Sequence, residues 1–188
     1  MTPRLAARCP SRILKGMSSE SRSGSISRRV RNPYVDNPDY RCFGCDPHNP
    51  IGLTLNFAIE ADRVVSVWHP RSDLEGYPGV THGGILATLC DETAAWYLHT
   101  IRGTAGMTRE LSIVYHQPAR AEEAPFRIVA QALEGDAKSA LIEVTITGSD
   151  GTLFCTAACS FAVFSEAVAR KRLAYPGREA FFDSPGSP

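Results

Sequence analysis

No stretch of this 188-residue sequence approaches the roughly 18 consecutive apolar residues that a membrane-spanning helix needs. The N-terminus also lacks the apolar core of a secretory signal. Net charge is absent, with 20 basic and 20 acidic residues, but the two signs are unevenly spread. Residues 1–31 hold eight basic side chains against Glu20 alone, a charge of +7, and the remainder holds 12 basic against 19 acidic, a charge of −7. A body of that sign repels nucleic-acid phosphates, which excludes nucleic-acid binding by the folded part. Six cysteines stand at 9, 42, 45, 90, 155 and 159. Without a secretory signal they are expected as reduced thiols, and a cytoplasmic location follows.

What is present is enough for one domain. Apolar residues make up 43% of the chain, and its length allows a domain of ordinary size with tails. Residues 1–40 show no apolar period and cluster Ser, Arg, Asn and Pro, so they are expected as a disordered leader. Their Arg-rich, Ser-rich, acid-poor start has the composition of a mitochondrial transit peptide, which makes mitochondria the alternative location. A plain disordered leader, or initiation at Met17, fits the same composition. The domain is expected over 41–165. Ser165–Arg172 then reads as a short charged helix, and the Gly/Pro-containing tail to residue 188 as loose.

Within the domain, Leu53–Glu60 and Arg63–His69 read as strands around an Ala61-Asp62 turn, and Arg71–Thr81 as a loop. From Gly83 to about His99 runs one long helix, apolar around most of its circumference and therefore expected to be buried on nearly all sides. Gly103 and Gly106 end it. Four period-two strands follow near 111–116, 126–133, 140–147 and 153–164, with turns at Gly135-Asp136 and Ser149-Asp150-Gly151, which argues an antiparallel meander. Cys155 and Cys159 fall on one face of the last strand about 13 Å apart, too far for a disulfide. About six antiparallel strands with one apolar face will wrap a single apolar helix, because each covers the other. This is an α+β class arrangement, the hotdog fold.

The segment from Gly79 to Thr93 carries the chemistry. Two glycines at a helix start cost stability relative to alanine, and make sense where something approaches the backbone. A helix N-terminus offers unpaired N–H groups and about half a positive charge, which suits a developing oxyanion. An ordinary glycine-containing turn is the other reading of His82-Gly83-Gly84. Asp91 lies mid-helix in an apolar stretch, where a carboxylate is costly unless paired or hydrated, and such groups are enriched at working sites. It is the candidate general base or nucleophile. A narrow polar stripe is the alternative, with Glu92 as its solvated member. Gly83 and Asp91 are eight residues apart, about 12 Å along one helix. If one site uses both, they come from different subunits across a two-fold axis, which predicts an obligate dimer.

This segment resembles the PaaI-like family of hotdog acyl-CoA thioesterases. The resemblance covers about residues 42–164 and rests on His-Gly-Gly at 82–84, an Asp nine residues after the His, Glu-Gly-Tyr-Pro-Gly at 75–79, Asp-Glu-Thr at 91–93, and the Cys-Phe-Gly-Cys…Asn-Pro-Ile-Gly opening. It implies hydrolysis of an acyl-CoA to acid and CoA, without metal or added cofactor, by a homodimer or dimer of dimers with sites at the subunit interface. It implies that the Gly83 amide polarises the thioester carbonyl, that Asp91 of the partner subunit activates water, and that His82 helps order the loop or the thioester group. Thr108 matches the position of a hydroxyl that orients the water, and also reads as a plain strand residue. One departure is Gly76, where some members carry Asn. Gly84, Arg109 and Lys138 are the candidate substrate contacts, the two cations for phosphate.

Cys42-x-x-Cys45 with His48 raises zinc, but no second CxxC or paired histidine accompanies it, and turn-packing thiols are the favoured reading. A redox role lacks the surrounding βαβ pattern. His69, His99 and His116 read as strand-end or helix-end residues. Trp68, Tyr77, Trp96 and Tyr97 read as pocket or core. The competing function is a non-catalytic acyl-CoA-binding module on the same scaffold. Hydratase chemistry lacks a second histidine in a matching context.

Overall fold

The computed structural model describes residues 27–183. The expected basic leader therefore lies outside the described residues up to position 26, as does the tail beyond 183. Seven antiparallel strands form one sheet: β1 (Arg28–Val30), β2 (Phe57–Glu60), β3 (Arg63–Trp68), β6 (Gly106–Tyr115), β7 (Phe126–Gly135), β8 (Ser139–Thr147) and β9 (Leu153–Val163). A separate hairpin, β4 (Glu75–Tyr77) with β5 (Val80–Thr81), stands ahead of the long helix α1 (Gly83–Tyr97). α1 continues through a π-helical turn, Leu98–Arg102, and ends on Gly103 in the left-handed region at φ 68°. That glycine satisfies the helix end as the sequence leads one to expect.

The sheet wraps α1 in the hotdog manner. Ala140, Ile142, Val144 and Ile146 of β8 are buried in strict alternation, as are Cys155, Ala157, Cys159, Phe161 and Val163 of β9, with Phe154 buried beside them. They close on Leu86, Leu89, Cys90, Ala94 and Trp96 of α1. The five cysteines among the described residues are free, so Cys155 and Cys159 are unbonded thiols of this core.

Several expectations are corrected. The sheet is not a simple meander: its order is β1-β2-β3-β7-β8-β9-β6, so β6 crosses to the far edge and pairs only with β9. The count is seven, because Arg28–Val30, expected in the leader, adds a strand to β2. Val30 and Pro33 are buried there, so the ordered domain begins well before residue 41. Nor is the C-terminal segment loose. After α2 (Glu166–Leu173), Tyr175, Phe181 and Phe182 are buried, with Phe181 set edge-on against Trp96. The loop at 71–81 holds the β4–β5 hairpin.

α1 is also less enclosed than its composition suggests. Gly84, Ala87, Thr88, Asp91 and Ala95 form a stripe that the single chain leaves partly open. No helix among the described residues is long and apolar enough to cross a membrane.

Candidate active site

The start of α1 is built around one free donor. Of the four N–H groups that a helix leaves unpaired at its N-terminus, Ile85 and Leu86 donate to the His82 carbonyl at 2.9 and 3.2 Å. Gly84 donates to His82 Nδ1 at 2.9 Å. Gly83 N–H has no partner among the described residues. His82, in extended conformation at φ −60° and ψ 135°, thus acts as the N-cap and holds its proton on Nε2. Its ring occupies the Gly84 amide, which leaves Gly83 as the donor available to a ligand.

That donor opens on a groove of about 580 Å3, lined by Gly76 and Tyr77 of the hairpin, His82 and Leu86 of α1, and Tyr115 to Ala119 at the end of β6. Tyr115 donates its hydroxyl to the Gly83 carbonyl at 2.8 Å, which fixes the peptide on the other side of the glycine. Sequence periodicity gave Tyr115 no role beyond a strand position, since the contact spans 32 residues. Tyr77 is 78% exposed at the groove mouth, whereas Trp68, Trp96 and Tyr97 are core. Gly76 lies against His82, and a Cβ there would sit 3.2 Å from His82 Cδ2. An Asn at 76 would need His82 to shift slightly.

Asp91 lies two turns further along α1. The Thr108 hydroxyl donates to Asp91 Oδ1 at 2.8 Å, and no cation pairs with the carboxylate among the described residues. β6 therefore runs alongside α1 in the opposite sense, touching Asp91 near its start and Gly83 at its end. Arg109 is the extra residue of a β6 bulge, exposed beside Thr108. Lys138 sits exposed in the β7–β8 turn, where Asp136 Oδ1 accepts from its backbone N–H at 2.7 Å. Neither cation lines the Gly83 groove; both stand at the Asp91 end, for Ser139 and Met107 face the same residue, Ala162, across β8, β9 and β6. Within one chain, the Gly83 donor and the Asp91–Thr108 pair stay apart.

Glu92, expected in solvent, turns the other way. It reaches the Cys42–Cys45 turn, with Cys42 Sγ at 3.6 Å and Trp96 Nε1 donating to Oε1 at 3.0 Å. Burial first, then the neighbouring Cys42 sulfur, push its carboxyl up to about 7. His48 does not join this group: only the two thiols and Glu92 converge among the described residues.

Residues 78–155 match the family model of the thioesterase superfamily. An uncharacterised protein of the fission yeast Schizosaccharomyces pombe is 28% identical over 122 residues, 62% of this chain and 69% of the relative. Among solved structures, a thioesterase superfamily protein aligns at 25% identity with a TM-score of 0.57, over 62% of this chain and 57% of its own length. A hypothetical thioesterase of Streptococcus pneumoniae, solved with coenzyme A, aligns at 24% identity and a TM-score of 0.51, over 55% of this chain and 80% of that one. The PaaI protein of Escherichia coli, at 15% identity, 61% and 82% coverage and a TM-score of 0.54, shares the fold. The domain thus has the hotdog fold, and its central segment, residues 78–155, is similar to the thioesterase superfamily.

Proposed function

We propose that this protein is an acyl-CoA thioesterase whose two active sites each combine Gly83 of one subunit with Asp91 and Thr108 of the partner subunit. The observation that carries this reading is the single free N–H, Gly83, at the mouth of the groove, with the Asp91–Thr108 pair held on the same open sheet edge. β6 is a ten-residue edge strand, paired with β9 on one side and with no strand on the other among the described residues, and Met107, Val114 and Tyr115 on it are about half exposed. Such an edge favours pairing with another strand. An antiparallel pairing centred on Leu111 sets Thr108 opposite Val114 of the partner subunit, one residue from the tyrosine that holds Gly83. The open stripe on α1 lies along the same side. Coenzyme A bound to the pneumococcal thioesterase supports CoA esters as substrates.

In this site the thioester oxygen accepts from Gly83 N–H. Water, held by Thr108 and Asp91, attacks the carbonyl carbon as Asp91 takes its proton, and the negative charge gathers on the oxygen facing the helix start. Collapse breaks the C–S bond. The proton on Asp91 is returned to the departing thiolate, giving the free acid and CoA. His82 acts through its cap, by keeping Gly84 engaged and Gly83 free. Arg109 and Lys138, at the Asp91 end, are the cations available to CoA phosphates.

One observation favours a second reading. Gly76 brings no amide to the groove beside His82, where some family members carry Asn, and a binding-only module would need none. Thiol release from acetyl, hexanoyl, palmitoyl and phenylacetyl CoA separates the two. Turnover that Asp91→Asn removes, with binding retained, is the expected result; binding without turnover by the unaltered protein would establish the module instead.

A further inference from the structure

The turn that opens the described domain core is shaped around two sulfurs and a carboxylate. Cys42 Sγ, Cys45 Sγ and a Glu92 oxygen lie within 4.8 Å of one another. They come from a loop and from the middle of α1, 50 residues apart. Both Glu92 oxygens are 3.6 Å from Cys42 Sγ. A tetrahedral ion with metal–sulfur bonds of about 2.3 Å and metal–oxygen bonds of about 2.0–2.2 Å separates its sulfur and oxygen donors by about 3.5 Å. The Cys42–Glu92 spacing matches that separation.

The surroundings fit the same purpose. Trp96 Nε1 donates to Glu92 Oε1 at 3.0 Å and to Cys45 Sγ at 3.4 Å, so a single indole orients two of the three groups. The Tyr40 hydroxyl lies 2.7 Å from Cys45 Sγ. Asn32 Nδ2 donates to the Cys45 carbonyl at 2.9 Å and ties the turn to the end of β1. Outer contacts of this kind hold metal ligands in one orientation. Gly44 is required between the cysteines, since a Cβ there would come within 2.5 Å of the Glu92 carboxyl carbon. The glycine lets the carboxylate close on the turn.

We propose that Cys42, Cys45 and Glu92 bind a divalent metal ion of the zinc class, which ties the 42–45 turn to the middle of α1. Two thiolates with a carboxylate form a soft-to-borderline donor set, and tetrahedral geometry leaves a fourth position for water. Binding exchanges the protons held on these groups for the ion and releases them to solvent. The inference is independent of the thioesterase reading: the cluster lies on a different face of α1, Glu92 pointing about 100° from Asp91, and the ion takes no part in hydrolysis. The sequence hides this site because its third ligand is not a second Cys or His at finger spacing.

The test uses full-length protein, reduced and freed of metal with a chelator, then titrated with Co2+ alone and with Zn2+ alone. Stoichiometric Co2+ uptake is expected, with a thiolate-to-metal charge-transfer band and the visible bands of a tetrahedral site, displaced by Zn2+. Either ion should raise Tm. Cys42→Ser, at the half-buried rim of the turn, should abolish the charge-transfer band. Glu92→Gln keeps the side-chain shape and should weaken Co2+ binding by at least about tenfold while retaining thiolate absorption. Cys155→Ser, in the core, should change neither. A folded, reduced protein that takes up no Co2+, or uptake unaltered by Cys42→Ser and Glu92→Gln, would overturn the proposal. So would a Cys42–Cys45 disulfide in metal-free protein as isolated from cells, which would assign the pair to redox chemistry.

Discussion

Asp91 and Glu92 are consecutive carboxylates that point about 100° apart around α1, and they meet opposite surroundings. Asp91 faces the open edge, with one hydroxyl as its partner and no cation. Glu92 is folded into a nest of two thiols and an indole. One is held by a single hydroxyl at a partly open stripe; the other is fixed by several neighbours. The difference shows how a single helix can serve two ends: its open stripe carries the residues assigned to the proposed two-subunit site, and its closed face fastens the chain's own loops. Gly83 and His82 extend the open side, while Trp96, His99 and the Phe181 ring extend the closed one.

That contrast is broken most sharply at Asp91. Asp91→Asn is expected to lower kcat by about 10²–10⁴ with little change in Tm, since removing a general base costs that much and no buried pair is lost. Thiol-release kinetics beside a melting curve check both halves. Next comes Gly83→Pro. Position 83 is the first residue of the helix, where proline's φ fits and its missing N–H breaks no helical bond. The preceding His82 already has the extended backbone that a following proline needs. The variant should fold, and lose about 10²–10³ in kcat because the oxyanion donor is gone. Retained activity would move the oxyanion contact away from Gly83.

On the closed face, acid is the probe. Burial holds His99 down to about 4, against its Nδ1 bond to the Thr104 carbonyl at 3.2 Å, which acts in the other direction. Its rings are covered by Phe181 and Tyr175, stacked at 5.7 and 5.9 Å. The unfolded chain therefore takes up this proton first. The stability that His99 contributes is complete above about pH 6.5 and is lost as pH falls toward 4, up to about 3 kcal/mol. Glu92, with its carboxyl pushed up to about 7, changes stability in the opposite sense over the same range, so the His99 share is the difference between the unaltered protein and His99→Gln in denaturant titrations at pH 7 and 4.5. The smallest effect is at Thr108. Thr108→Val should cost about tenfold in kcat, the worth of one hydrogen bond to a charged group, and Thr108→Ser should restore most of it.

Much of this was legible along the chain because period and punctuation are local. β8 alternates throughout and β9 from Cys155 onward, α1 starts on two glycines and stops at Gly103, and the spacing of Gly83 and Asp91 calls for two subunits if one site uses both. What was hidden depends on contacts distant in sequence. β1 has three residues, of which Val30 alone is buried, so it offers no period to read. The C-terminal segment is polar in composition but anchored by Phe181 and Phe182. The crossing of β6 to the far edge is a matter of topology, which alternation does not encode. Glu92 read as solvated because the cysteine turn it reaches lies about 50 residues upstream. Thr108 was marked by resemblance alone, and Tyr115 was not marked at all.

The central claim is that each site spans two subunits, and subunit exchange tests it most directly. Gly83→Pro and Asp91→Asn proteins, each inactive alone, are mixed, allowed to exchange, and assayed for thiol release. A mixed dimer has one site with both Gly83 and Asp91 intact, so equal amounts should recover about a quarter of the unaltered activity. No recovery after verified exchange would contradict the account and place the whole reaction within one chain.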